Sequence, residues 1–269
     1  MEMTVFGITD TGMVRPGNED ALLIDEHLGL LAVADGMGGH KCGEVASNMA
    51  VDILKDYITK QSKGSDTFMG NVDARVSRQA NLLASGIRLA NQAIFEAAAS
   101  NPSWQGMGTT IVAVLVKEGR AGIAHAGDSR LYLLRGGQIR QITGDHSLVA
   151  EQVRQGLITA EEAQKSTRKN VITRALGQWE ELEIEMQDLD LLDGDRLLLC
   201  SDGLSGMVSD PEIVALLEAY STPEQSCKTL IEVANDYGGK DNVTVVVAKF
   251  QEEMGFVSGL KKMFHLGSE

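Results

Sequence analysis

Five short acidic motifs carry the reactive potential of this sequence: Asn18-Glu19-Asp20, Asp35-Gly36-Met37-Gly38-Gly39, Gly127-Asp128-Ser129-Arg130, Ser201-Asp202-Gly203 and Lys240-Asp241-Asn242. Their carboxylates adjoin apolar runs that read as strands, 30–34 before Asp35, 197–200 before Asp202 and 243–247 after Asp241. Carboxylates fixed at the ends of core strands can converge on one rim of a sheet. Buried together they would repel and raise one another's pKa values, a penalty that a divalent cation removes. A set of Asp carboxylates, one backbone carbonyl and water suits magnesium or manganese. Zinc would draw on His or Cys, and neither clusters along this chain. Gly36 has no side chain to stop its own carbonyl turning toward an ion. Two ions sharing a bridging carboxylate can hold a water as hydroxide and aim it at phosphorus. Arg15, just before the first motif, can hold a phosphate's oxygens.

Asp-Gly and Lys-Asp-Asn are ordinary turn sequences, and Asp193-Gly194-Asp195 is read as a turn before a strand and nothing more. Arg15 alone would be a surface arginine. The signal is the five motifs together, in this order and beside strands.

The elements that must position them follow from the hydrophobic pattern. Strands are predicted at 4–9, 21–25 and 28–34, the last ending in the Asp35 motif. A helix is predicted over 43–60, with Ala46, Met49, Ala50, Ile53 and Tyr57 on one face, and a second over 72–100, with Leu83, Ile87, Ala90 and Ile94 at core spacing. Strands resume at 110–117, 122–125, 130–135 and 138–142. The stretch 145–177 is polar and weakly periodic, with a capping box at Thr159-Ala160-Glu161-Glu162 that should start a short helix. Strands at 183–189 and 195–200, helices at 210–220 and 223–237 and a strand at 242–250 complete the chain. Runs of strands joined by hairpin signals argue against a parallel sheet. The expected fold is α+β: two packed antiparallel β-sheets with helix pairs on the outer faces, in one domain.

Composition narrows the classes. The 269 residues carry a formal charge of −14, a field that repels nucleic acid. Cys42, Cys200 and Cys227 are an odd number without close spacing, so a reducing, cytoplasmic setting is expected. None has an arginine six positions later, so the Cys-x5-Arg loop of cysteine phosphatases is absent. The N-terminus lacks the pattern of a secretion signal, and no segment approaches the roughly 20 apolar residues that cross a bilayer. The expectation is a soluble protein.

The order Arg-x-x-Asn-Glu-Asp, Asp-Gly-Met-Gly-Gly, Gly-Asp-Ser-Arg, Ser-Asp-Gly and Asp-Asn, with Gly108-Thr109-Thr110 and Asp145-His146-Ser147, resembles the metal-dependent protein phosphatases of the type 2C kind, their bacterial branch in particular. The resemblance spans about residues 4–250. It implies a four-layer α-β-β-α sandwich with the ions in a cleft at one end of the sheets, a phosphatase domain over 1–250 with a mobile flap at about 145–177, and a separate tail over 251–269. It implies a centre of two, or in bacterial relatives three, Mn2+ or Mg2+ ions that hydrolyses phosphoserine and phosphothreonine in proteins. By position, Asp35 bridges two ions, the Gly36 carbonyl binds the second, and Asp202 and Asp241 bind the first. Glu19 and Asp20 act through bound water, Asp128 holds a third ion with Asp202, and Arg15 binds the substrate phosphate. Attack comes from metal-bound water held by Asp35, without a phosphoenzyme. The expected partners are phosphorylated proteins and a Ser/Thr kinase that the enzyme opposes.

Animal members carry a histidine where this sequence has Met37, which cannot donate a proton. His40, His146 and a metal-bound water are the alternatives for the general acid. Two rival functions use the same residues. A two-metal nuclease or nucleotide hydrolase is opposed by the acidic composition and the lack of basic, aromatic-interleaved segments. An inactive phosphoprotein-binding module is opposed by the complete set of carboxylates. In the tail, Phe256, Leu260, Met263 and Phe264 share a helical stripe beside Lys261 and Lys262, a pattern for docking on a membrane, a partner or the domain itself.

Overall fold

The computed structural model describes residues 1–38, 42–64 and 67–252. Its strands are β1 Glu2–Asp10, β2 Asp20–Asp25, β3 Leu30–Met37, β4 Gly108–Thr109, β5 Ile111–Lys117, β6 Arg120–Ala126, β7 Arg130–Arg135, β8 Gln138–Gln141, β9 Glu185–Asp190, β10 Arg196–Cys200 and β11 Val243–Gln251. The helices are α1 Cys42–Ser62, α2 Arg78–Ser100, α3 Leu148–Arg154, α4 Ala160–Lys165, α5 Asp202–Ser205, α6 Asp210–Ala219 and α7 Pro223–Asp236. One sheet has the order β1-β11-β10-β7-β8 and the other β2-β3-β5-β6-β9, with β4 on β3. The pairings are antiparallel.

Successive side chains on a strand face opposite ways, and here both ways are buried. Leu31 and Val33 of β3 meet Leu197 and Leu199 of β10 and Val246 of β11 in the layer between the sheets. Leu30, Ala32 and Ala34 face the other way, onto Leu54 of α1 and Leu83 and Ile87 of α2. On the far side Leu198, Val245 and Val247 pack on Ile213 and Leu217 of α6 and Leu230 and Ile231 of α7. The result is the expected four layers, and it explains why the strands read as apolar runs and not as an alternation.

Four differences from the sequence expectation bear on the site. β3 does not stop before the Asp35 motif; it continues to Met37, with Gly36 opposite Thr109 and Met37 opposite Gly108. α2 begins at Arg78, not 72, because Ser77 caps it and Asn81 reaches back to hold Asp73 and Val76 in a loop. Asp202 does not hang from the end of β10; it opens the short helix α5. The polar stretch 145–177 contains α3 as well as the foreseen α4, whose capping box forms between Thr159 and Glu162. Both ends of this stretch are pinned to the sandwich or to each other, by the bridges Thr109–Leu176 and Ser147–Ile172. The tail stripe lies outside the described residues, and among those described no helix is long and apolar enough to cross a membrane.

Leu197→Ala would empty a fully buried position between the sheets. It is expected to cost about 2–5 kcal/mol of unfolding free energy, read by urea titration; a loss under about 0.5 kcal/mol would mean that this layer is not closely packed.

Candidate metal centre

The parity of β3 sends Asp35 the same way as Leu31 and Val33, into the space between the sheets, but at its open rim. Register places Asp20 of β2 directly opposite Asp35. Like charges in that position destabilise a sheet. The other carboxylates come to the same rim from three further connections: Asp128 from the turn after β6, Asp202 from the start of α5 and Asp241 from the turn before β11. They meet as a chain of neighbours and not as one tight shell. Asp20 raises Asp35, Asp35 hydrogen-bonds Asp202, and Asp202 feels Asp241 on one side while Asp128 feels Asp202 on the other.

Burial, reinforced by these neighbours, pushes the carboxyls up. Asp20 rises to about 7, through burial first and then Asp202 and Asp241, against the hydroxyls of Thr244 and Ser201 that stabilise its anion. Asp128 rises to about 7 through burial, Asp202 and Asp145. Asp35 is held well above the usual carboxylate range by burial and by Asp20, Asp202, Asp128 and Asp241. Asp202 is raised by burial and Asp241. Among the described residues, Asp20 Oδ1 and Asp128 Oδ1 are buried without a hydrogen-bond partner. Hard oxygen donors, repelling one another and carrying orphaned lone pairs, fit a divalent cation.

The scaffold explains how such a set is held. Asn242 accepts the Glu19 N–H at 2.9 Å and donates to the Thr11 and Gly17 carbonyls at 2.9 Å each, tying the first motif to the last. Thr244 donates to Asp20 Oδ2 at 2.7 Å. A Cβ on Gly36 would run into the carbonyl oxygens of Gly43 and Glu19, so only glycine lets α1 and the Glu19 loop close on this backbone. Arg15 Nη2 donates to Asp241 Oδ2 at 2.6 Å, so the expected phosphate ligand is at the rim, half-exposed and engaged with an expected ion ligand.

Arg15, Glu19, Asp20, Asp35, Gly36, Asp128, Asp202 and Asp241 are therefore brought to one rim. His40 lies outside the described residues. His146 is buried, and its Nδ1 accepts the Gly127 N–H at 3.1 Å while its Nε2 lies 3.2 Å from Glu185 Oε2. Burial, the stacked His125 ring and Arg174 push it down to about 4, so it is neutral near pH 7. Donor atoms of His125, His146 and Glu185 also lie within 4.8 Å of one another. With Nδ1 of His146 already accepting a backbone proton, Nε2 must carry the ring's own, which leaves it no lone pair for an ion. Within the trio only His146 and Glu185 are hydrogen-bonded, while His125 stacks on His146 and pairs with the Gly144 carbonyl. Thr244 and the bracing roles of Ser201 and Asn242 escape sequence reading: Ser201 and Asn242 stand in recognisable motifs, but their contacts do not show, and Thr244 stands in none.

A groove of ≈ 890 Å³ leads from Asp128 and Asp202 between α3–α4 and α6, with Val149, Ala163, Lys169 and Met207 on its walls.

The raised carboxyls give a pH signature. Asp20 and Asp128 titrate near 7 in the fold but near 4 in an unfolded chain. Without ions, the stability this gives is full below about pH 4 and is lost as pH rises to about 7. Cations bind the ionised carboxyls and reverse the loss. Mn2+ is therefore expected to raise Tm more at pH 8 than at pH 5, as scanning calorimetry would show; an equal gain at both would contradict it.

Known proteins share this sequence pattern and fold. The family model for protein phosphatase 2C matches residues 16–241. The serine/threonine protein phosphatase PstP of Mycobacterium tuberculosis is 43% identical over 242 residues, 89% of this chain; the chain spans only 43% of that relative's length. The serine/threonine phosphatase Stp of Listeria monocytogenes is 39% identical over 244 residues, covering 90% of this chain and 93% of the relative. The crystal structure of the PstP catalytic domain in complex with two manganese ions matches with a TM-score of 0.79 at 40% identity, over 93% of this chain and 99% of that one. With sequence and architecture agreeing over some nine-tenths of its length, the chain belongs to the protein phosphatase 2C family.

Proposed function

We propose that this chain hydrolyses phosphoserine and phosphothreonine in proteins, at a centre of two or three Mn2+ or Mg2+ ions, in the cytoplasm and in opposition to a Ser/Thr kinase. The observation that carries the reading is the buried line Asp20–Asp35–Asp202–Asp128, whose mutual repulsion is relieved by cations. Asp35, the Gly36 carbonyl, Asp202 and Asp241 would hold two ions, with Glu19 and Asp20 behind them and Asp128 with Asp202 for a third. Bound divalent ions lower the pKa of water and neutralise charge on phosphoryl oxygens.

The chain's own groups do the rest. Arg15 sits half-exposed at the rim, within reach of incoming substrate, and its planar guanidinium suits two phosphoryl oxygens. Its ion pair with Asp241 keeps it at the rim until substrate arrives. Met37 donates no proton, and His146 is committed to Gly127 and Glu185, which leaves His40 or a water at the ion centre to protonate the leaving oxygen. The free cysteines Cys200 and Cys227 are buried, with burial pushing each thiol up to about 12, so neither supplies a nucleophile. The domain is taken as residues 1–250, with the 145–177 stretch as the flap that meets substrate along the groove beside Asp128.

Release of phosphate from a phosphothreonine peptide is expected to require Mn2+ or Mg2+ and to stop with chelator. Asp35→Asn and Asp202→Asn are each expected to lose more than about a hundredfold in kcat while remaining folded. Turnover by chelated enzyme at the metal-loaded rate would refute the reading. Arg15→Ala removes charge-assisted bonds to phosphate and should lower kcat/KM by about ten- to a hundredfold, mostly through KM; steady-state kinetics on the same peptide would show it.

A further inference from the structure

His146 was a candidate proton donor by sequence, and the structure gives it a different task. Asp128 follows Gly127, whose φ of +117° is accessible to glycine and rarely to other residues. Gly127 has one backbone N–H and one carbonyl to satisfy. Both are held by His146. Its Nδ1 accepts the Gly127 N–H at 3.1 Å, and its own backbone N–H donates to the Gly127 carbonyl at 3.0 Å. The other end of the ring reaches elsewhere: Nε2 donates to Glu185 Oε2 at 3.2 Å, and Arg174 Nη1 lies 3.1 Å away. The His146 carbonyl accepts the Thr173 N–H at 2.8 Å. One residue thus joins the Asp128 turn, the far end of the flap and the start of β9. The neighbouring links follow the same seam, with Arg130 forked onto Asp145 at 2.9 and 2.7 Å and Leu131 N–H on Thr143 Oγ1 at 3.0 Å.

We propose that His146 is a positioning residue: its Nδ1 holds Gly127, and through it sets the Asp128 carboxylate for divalent-ion binding, while its Nε2 ties that setting to the base of the flap. This rests on the reading of Asp128 as an ion ligand. Removing Nδ1 leaves the buried Gly127 N–H without an acceptor and frees the turn to relax. Partners that orient a ligand from behind typically shift metal affinity or activity by about 10–100-fold.

Two amides separate the ends of the ring, because an Asn side-chain oxygen falls near Nδ1 and a Gln side-chain nitrogen near Nε2. His146→Gln is expected to weaken the weakest Mn2+ site about tenfold or more in calorimetric titration. It should also speed amide exchange over residues 126–130 and lower kcat on a phosphothreonine peptide with KM little changed. His146→Asn should keep Mn2+ affinity and exchange within about threefold of the parent. The proposal is overturned if Asn weakens Mn2+ binding as much as Gln, or if Gln leaves both Mn2+ binding and exchange unchanged. Should either variant fail to fold, the imidazole nitrogen spectrum of the parent decides: a proton on Nε2 of His146 supports the proposal and a proton on Nδ1 ends it. Asp128→Asn separates this from the reading beneath it. Unchanged Mn2+ binding in that variant would remove Asp128 from the ion centre, whereas the hold of His146 on Gly127 would still be read by exchange.

Discussion

Two aspartates facing each other across a β-ladder define this molecule. Asp20 and Asp35 are register partners on β2 and β3, pointing into the space between the sheets. One layer deeper, the corresponding positions are Leu22 and Val33, which pack as ordinary hydrophobics. The sandwich therefore ends in a row of acids where another row of aliphatic side chains would have closed it. Asp128, Asp202 and Asp241 complete the row from connections of both sheets. Nothing apolar satisfies such an edge. The fold holds it together through groups that tolerate charge: the hydroxyls of Thr244 and Ser201 on Asp20, the guanidinium of Arg15 on Asp241, and the amide of Asn242 bracing the backbone between them. Repulsion left over after that is what suits the rim to small hard cations.

The same constraint explains the glycines around it. Gly36 and Gly203 sit where two backbones must touch, Gly36 against Gly43 and Glu19, Gly203 against the Asn242 carbonyl. Converging five segments on one point leaves no room for side chains that do not bind something.

Much of this was legible in the sequence, for physical reasons. The strands declared themselves because both faces of each sheet are covered, turning Leu30 to Ala34 and Leu197 to Cys200 into unbroken apolar stretches. The misses share a cause too. α2 starts late because Asn81 holds the residues before it and Asp188, 111 positions away, accepts the Ser77 N–H. α3 buries little beyond Val149, too small an apolar face to register as a period. His146 looked like a possible acid because its residue type was visible and its partner at Gly127 was not. Thr244 carries no local mark at all; its importance is the contact with Asp20.

β1 and β11 lie side by side over nine residue pairs, so the first and last strands of the domain are sewn together. The links that complete the rim span almost the whole polypeptide, 226 positions for Arg15 to Asp241 and 224 for Asp20 to Thr244. Closing such distant ends is the slow part of building a β-rich domain. A chain still emerging from the ribosome, or one clipped before Asn242, can hold all five aspartates yet lack the Asn242 amide and Thr244 hydroxyl that brace them. In this topology the acidic rim is fully braced only when the last strand has been made.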